Sequence, residues 1–342
     1  MTDKTHMRLE VEQIPAKVAE LLDKGSDAIN IAAENFKRAD PKFLVSIARG
    51  SSDHAALYLK YAFELMAGLP VASIGPSVAS IYEAPLKLKD AGCIAISQSG
   101  ASTDIVALAK AARDSGAPAI AITNNAKSDL ANTCSATLDI LAGPEISVAA
   151  TKTFVNSIIA GLGMLAAYTD DVKLQQALKA LPEQLEKAIN CDWSPLIAPV
   201  SKAPSLFIIG RGPGFAIAHE AALKFKETSS KHAEAYSSAE VLHGPVSIAD
   251  ASFPVLALAA RDAAEASLME TMGRIASQQA SVFATSDIEV AGIKLPFVAT
   301  GHPLTDPLSL IVSFYSFIEG FARHSGFNPD TPKHLKKVTV TR

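Results

Sequence analysis

The chain alternates short, continuous apolar runs with longer stretches of helical spacing. Over 8–38, Ile14, Val18, Leu21 and Leu22 recur at helical intervals. "PKFLVSIARG" then reads as a buried strand ending in glycine. "SSDHAALYLKYAFELMAGL" reads as a helix with small polar residues at its start and glycine at its end. "GCIAIS", "PAIAIT" and "ATLDIL" are further apolar strands separated by helical stretches, and "TKTFVNSIIAGLGMLAAYT" is a long apolar helix. Strand–helix alternation of this kind predicts an α/β layer with a mostly parallel sheet.

The pattern breaks over 170–200. An amphipathic helix, "DDVKLQQALKALPEQLEKAI", leads into "NCDWSPLIAPVSKAP", which carries three prolines and marks a domain boundary. The pattern then restarts. "SLFIIGRG" repeats "FLVSIARG", "FPVLALAA" repeats "GCIAISQS", and "SVFATS" repeats "PAIAIT". Gly50 and Gly212, Ser97 and Ala259, and Thr123 and Thr285 are each separated by 162 residues. One shared offset at three strand ends implies an internal duplication. The period is too long for a solenoid, so two packed domains are expected.

Composition narrows the classes. The 342 residues are 49% hydrophobic and 19% charged, as in a well-buried globular protein. A net charge of −4 without a long basic run argues against a nucleic-acid partner. The N-terminus lacks the basic-then-apolar pattern of a signal peptide, and no apolar run reaches the ~18 residues of a membrane span. The richest run, "SLIVSFYSFIEGFA", is interrupted by Glu319 and reads as a buried helix. Cys93, Cys134 and Cys191 are far apart with no CxxC pair, so neither a disulfide framework nor a metal site is expected, and the cytoplasm is the natural compartment. Cys93 should pack inside a strand.

Candidate chemistry begins at "ISQSGAST", where four hydroxyl residues, Gln98 and Gly100 crowd one strand-to-helix corner. Serine or threonine before a helix is an ordinary N-cap. A helix N-terminus in a parallel α/β layer is also an anion site, and Ser97, Ser99, Ser102 and Thr103 could cradle a phosphate without lysine. Ser51 and Ser52 in "RGSSD" occupy the same layer. The matching corner of the second half, "AARDAAEAS", has lost the strand-end serines, which favours a ligand over a requirement of the fold. Neither GxxxxGK[ST] nor G-x-G-x-x-G occurs, and "GRGPGFA" is no dinucleotide fingerprint.

The second half supplies charge instead. Within "AIAHEAALKFKETSSKHAEAY", read as helical, Glu220, Lys224 and Glu227 share one face. They are either a solvated salt-bridge stripe or, given the apolar surroundings, buried catalytic carboxylates around a lysine. "YSSAEVLHGP" places Glu240 and His243 in a loop held by Gly244 and Pro245, where the histidine is either incidental or a proton shuttle. The tail "PDTPKHLKKVTVTR" is basic.

These stretches together, "RGSS", "SQSGASTD", "PEISVAATKTF", "ALKFKETSSKHAEAY", "EVLHGP" and "NPDTPKHLKKVTV", resemble the tandem sugar-isomerase (SIS) domain family over nearly the whole chain. They are similar to the isomerase half of glucosamine-6-phosphate synthase. The glutaminase half with its N-terminal cysteine has no counterpart; position 2 is Thr2. The resemblance implies two SIS domains, each a mostly parallel five-stranded sheet flanked by helices in three doubly wound layers. The expected division is an N-terminal helical segment 1–38, a first domain 39–170, a linker 171–200, a second domain 201–325 and a closing tail 326–342.

It further implies that Ser52, Ser97, Gln98, Ser99 and Ser102 bind phosphate. Gly50, Ser51, Val148 and Ala150 stand at sugar-contact positions, although Ala150 replaces a serine of the synthase. Glu227 matches the base that moves a proton between C1 and C2, and Glu220 and Lys224 match supporting residues. His243 matches a ring-opening histidine contributed by the other subunit of a homodimer. Lys337 matches the lysine that closes over the sugar, with Lys336 as its rival. The implied activity is deamination of glucosamine 6-phosphate to fructose 6-phosphate and ammonia, without cofactor or metal. The alternatives are galactosamine-6-phosphate deamination, fructosamine-phosphate deglycation, aldose–ketose isomerisation, or a non-catalytic sugar-phosphate sensor.

Overall fold

The computed structural model describes residues 4–337; Thr2 and the tail end, 338–342, lie outside the described residues. The chain forms two compact units. One comprises Ala16–Glu145, Lys152–Lys179 and 336–337; the other comprises 4–15, Ile146–Thr151 and 180–335.

The first unit holds strands β1 (Phe43–Ile47), β2 (Val71–Ser73), β3 (Ala91–Ile96), β4 (Ala119–Thr123) and β5 (Ala136–Asp139) in the order β2-β1-β3-β4-β5, all parallel. The inner strands β3 and β4 are buried at every residue, which is why they read as unbroken apolar runs. Their two faces remain distinct. Val45, Ile47, Cys93, Ala95, Ala119 and Ala121 meet Ile105, Leu108, Ala109 and Ala112 of helix Thr103–Asp114. The small alanines let that helix lie close to the sheet. On the other side, helices Ser26–Ala39 and Ser51–Ala67 both pack against helix Lys152–Tyr168. A Cβ on Gly161 would stand 2.3 Å from Leu59 Cδ1, so glycine there permits the helix–helix approach.

The second unit repeats the plan with β6 (Ser205–Gly210), β7 (His232–Ser237), β8 (Pro254–Ala257), β9 (Ser281–Ala284) and β10 (Ile293–Lys294), ordered β7-β6-β8-β9-β10 and again all parallel. Phe207, Ile209, Val255 and Ala257 face Leu268, Met269 and Met272 of helix Glu265–Ala276. On the opposite side, helices Pro213–Ser229 and Asp306–His324 pack together around Phe225, Phe314, Phe317 and Phe321. Trp193 joins this cluster and donates its Nε1–H to Pro296 O at 2.8 Å.

The 162-residue offset recurs in the backbone. β1 starts at Phe43 and β6 at Ser205; β4 starts at Ala119 and β9 at Ser281. Gly50 (φ 57°, ψ −134°) and Gly212 (φ 54°, ψ −133°) share a conformation that only glycine adopts readily. The fifth strands break the offset, β5 starting at Ala136 and β10 at Ile293.

Several sequence expectations are refined. The helical reading of 8–38 resolves into helices His6–Lys24 and Ser26–Ala39, meeting at Gly25. β2, β7 and β10 carry no continuous apolar run, because these edge strands bury at most one residue each. The helix that carries Glu220, Lys224 and Glu227 ends at Ser229, Ser230 turns left-handed (φ 49°), and "HAEAY" belongs to β7 rather than to the helix.

Among the described residues no helix is long and apolar enough to cross a membrane. Glu319 is fully buried in helix Asp306–His324 and is satisfied by Arg8 at 2.9 Å, Arg323 at 2.7 Å and the Thr5 hydroxyl at 2.8 Å. Burial alone would raise its pKa. Hydrogen bonds from Arg323 and Thr5 and the charges of Arg8 and Arg323 outweigh that and hold it below its ordinary value. A depressed carboxyl pKa stabilises the fold above the unfolded value and loses that stabilisation as pH falls through the folded one. Glu319→Gln should therefore cost about 3 kcal/mol at pH 7. In urea titrations its difference from wild type should shrink as pH drops below 4.5. A gap that stays constant down to acid pH would show that packing, not charge, is what Glu319 contributes.

Candidate active site

In the first unit, two strand ends turn into helix N-termini. β1 passes through Ala48, Arg49 and Gly50 into helix Ser51–Ala67, putting Ser51 and Ser52 in its first turn, both half-buried. β3 passes through Ser97–Ser102 into helix Thr103–Asp114. Ser97 is buried, and its Oγ accepts from the Gly100 N–H at 3.2 Å; Ser99 Oγ accepts from the Ala101 N–H at 3.3 Å. Gln98 contributes its carbonyl, which accepts from the Asn124 N–H at 3.1 Å and the Thr123 hydroxyl at 3.3 Å. The bend relies on Gly100, whose φ is +64° and where a Cβ would stand 2.0 Å from Ser128 Oγ.

Capping does not account for this corner. Ser102 occupies the N-cap position, yet its side chain makes no capping bond. The same unit uses a serine cap elsewhere, Ser128 Oγ accepting from the Ala131 N–H at 3.3 Å. The corner thus keeps hydroxyls and helix N–H groups with capacity for an anion.

Two ion pairs in this unit lay beyond the sequence reading. Arg49 Nε donates to Asp104 Oδ2 at 2.5 Å, with Asp104 fully buried, tying the two corners together. Lys337 donates to Glu145 Oε2 at 2.8 Å, and Glu145, also buried, accepts from the Thr153 N–H and hydroxyl. The tail turns Lys337 inward and leaves Lys336 exposed. Arg49, Asp104 and Glu145 all sit inside the quoted motifs, but spacing alone does not show which charges meet.

In the second unit, helix Pro213–Ser229 brings Glu220, Lys224 and Glu227 together. Lys224 Nζ lies 3.1 Å from Glu220 Oε1 and 2.5 Å from Glu227 Oε2. Glu220 and Lys224 are 0% exposed, which rules out a solvated stripe; Glu227 retains 19%. Burial alone would lower the lysine pKa, but the two carboxylates reverse the direction and keep the ammonium charged. The Tyr315 hydroxyl holds the far carboxylate, donating to Glu220 Oε1 at 3.2 Å. Glu227 is the member of this group that remains reachable from solvent.

His243 lies apart from that trio. It follows the 3-10 turn Glu240–Leu242, its side chain is exposed, and it hydrogen-bonds to none of the three. Glu240 is exposed as well. Gly244, at φ 135°, makes the turn after it. Val148 and Ala150 are half-buried, the Val148 N–H donating to Asp330 O at 3.4 Å. Cys93 is buried inside β3, where burial pushes its thiol pKa up. Among the described residues no group of three or more His, Cys, Asp or Glu could hold a metal ion.

The duplicate corner in the second unit has become a closed charge cluster. Arg261, 162 residues after Ser99, lies 3.2 Å from Asp306 Oδ2, donates to Thr285 O at 2.9 Å and stacks 3.9 Å over the Phe297 ring. Asp306 also accepts from the Arg261 and Thr300 N–H groups.

Comparison with known proteins matches this architecture. The SIS domain family matches residues 39–167 and 200–281. Glutamine–fructose-6-phosphate aminotransferase [isomerizing] of Halobacterium salinarum is 34% identical over 86% of this chain and 51% of its own length. That of Mycolicibacterium smegmatis is 32% identical over 98% and 57%. The chain thus spans about half the length of these curated relatives. A phosphosugar isomerase structure from Silicibacter pomeroyi DSS-3 is 52% identical, with a TM-score of 0.92 over 96% of this chain and 100% of that one. The C-terminal domain of glucosamine-fructose-6-phosphate aminotransferase from Francisella tularensis shares the fold at TM-score 0.87 and 22% identity, covering 97% and 99%. The first matched segment contains the whole first sheet and the second contains β6, β7 and β8 of the second sheet, and the chain belongs to the SIS domain family, of which it carries two copies.

Proposed function

We propose that the protein is an aminosugar-phosphate deaminase that converts glucosamine 6-phosphate to fructose 6-phosphate and ammonia. The observation that carries this reading is the Glu220–Lys224–Glu227 arrangement, in which one carboxylate of a buried, charge-locked trio remains accessible. The kinship with aminotransferases that act on fructose 6-phosphate, and with a phosphosugar isomerase at 52% identity, points to the substrate class.

The roles follow from the chemistry. The hydroxyls of Ser52, Ser97, Ser99 and Ser102, with Gln98, take the phosphate. Gly50, Ser51, Val148 and Ala150 border the sugar. His243, exposed on its own turn, acts in a second copy of the chain and assists ring opening, which makes a homodimer the working unit. Glu227 removes the C2 proton of the open-chain aldehyde and returns it to C1, leaving an imine at C2. Water adds there, and the carbon–nitrogen bond breaks to give the ketone and ammonia. Lys224 orients Glu227, Glu220 balances the lysine's charge, and Lys337 closes over the sugar. Water is the abundant nucleophile at an imine, so hydrolysis is the direction that needs no delivered ammonia.

Glu227→Gln should reduce ammonia release from glucosamine 6-phosphate by about 10²–10⁴-fold while the protein stays folded. Wild-type turnover in that variant would remove Glu227 from the role of base. A panel extended to galactosamine 6-phosphate and a fructosamine 6-phosphate adduct ranks the alternatives. Tight binding with no turnover of any of them, whether read as ammonia, free amino acid or aldose–ketose interconversion, would identify a sensor. Lys224→Met leaves two carboxylates facing each other without a cation, and should destabilise the chain by about 3–5 kcal/mol in chemical unfolding. An unchanged midpoint would mean the lysine does not hold the pair.

A further inference from the structure

The anion corner of the first unit has hydroxyls and helix N–H groups, and one cation is built into it. Arg49 lies between the end of β1 and Ser52, three residues on; its partner Asp104 lies two residues beyond Ser102. The guanidinium is therefore within a helical turn of both hydroxyl clusters. Asp104 is 0% exposed and takes the Nε–H, whereas the Arg49 side chain is 45% exposed. Among the described residues, Arg49 Nη1 and Nη2 donate to no protein acceptor. A buried carboxylate thus fixes one edge of a planar fork and leaves its other donors facing outward, the geometry that suits a phosphate oxygen pair.

The duplicated half provides an internal control. Arg211, 162 residues after Arg49, follows β6 in the same way, but Asp104 has Ala266 as its counterpart and Arg211 instead approaches Ser237 Oγ at 3.3 Å. The arginine at the second corner, Arg261, has its charge met internally by Asp306. In the half that lost its serines, the arginine paired with a buried carboxylate, Arg261, is itself drawn inward, with 19% of its side chain exposed against 45% for Arg49.

We propose that Arg49 is a phosphate-binding residue of the first-unit corner and that Asp104 is the positioning residue that aims it. The pair is neutral overall, so its contribution is two directed hydrogen bonds rather than a long-range field. This rests on the reading that the corner takes the substrate phosphate, and it adds the side chain that supplies charge-assisted donors to a grip lacking lysine.

The test uses the full chain and inorganic phosphate, so that it does not depend on turnover. Calorimetric affinity and thermal midpoint are measured for wild type, Arg49→Lys, Arg49→Gln, Asp104→Asn and Ser97→Ala. Lysine can still reach Asp104 but lacks the fork. Arg49→Lys should keep the wild-type midpoint and bind phosphate about 10–100-fold more weakly, the worth of one or two hydrogen bonds between charged groups. Arg49→Gln should lose at least as much affinity, and Asp104→Asn should lose affinity with Arg49 still present. If Arg49→Lys binds phosphate like wild type while Ser97→Ala does not, the pair is a structural strut and the proposal fails, with the phosphate site intact. If wild type itself binds no phosphate, the proposal and the phosphate reading of the corner fall together.

Discussion

A parallel strand cannot pair with its predecessor until the chain has crossed the face of the sheet. That constraint organises both units. Long helices fill the crossovers from β1 to β2, β3 to β4, β6 to β7 and β8 to β9, so strand C-termini and helix N-termini collect along one edge of each sheet. Unpaired N–H groups gather at that edge, and small residues are needed where the backbone turns. Gly50, Gly100 and Gly212 stand at such turns with positive φ. The hydroxyl corner is a consequence of this edge, since the topology supplies the donors and the side chains decide what is done with them.

The duplication separates topology from chemistry. Both units keep the strand order, the all-parallel pairing and the glycine conformation after the first strand. They differ in what fills the second corner. In the first unit serines surround a bend left without a side-chain cap. In the second, Asp306 enters as an internal carboxylate and closes on Arg261. Two copies of one fold thus use the same corner differently, one open to an outside anion and the other occupied by an internal ion pair.

Buried charge is the second recurring theme. Asp104, Glu145, Glu220, Lys224, Asp306 and Glu319 all lie out of contact with water, and each has a partner of opposite charge. Isolated ions in such positions would be costly, so each pair also fixes the elements that carry it. Helix Pro213–Ser229 shows the functional side of this. Glu227 sits next to a lysine whose charge is guaranteed by a second carboxylate, so its environment is set before any ligand arrives.

Much of this was legible in the sequence because it depends on periodicity and covalent order. Unbroken apolar runs marked the inner strands, whose residues are buried on both faces, and a constant offset exposed the duplication. Spacing placed Glu220, Lys224 and Glu227 on one face because a helix fixes such neighbours locally. The edge strands β2, β7 and β10 were not legible, since a strand buried on part of its length has no such run. Nor were Arg49 with Asp104, Lys337 with Glu145, or Arg261 with Asp306. Those partners are tens of residues or more apart, and only the tertiary fold, by bringing distant segments within hydrogen-bonding reach, decides which charge neutralises which. The sequence alone determined the architecture and the residue types at each corner. The three-dimensional packing determined which of those residues are already satisfied by the protein itself.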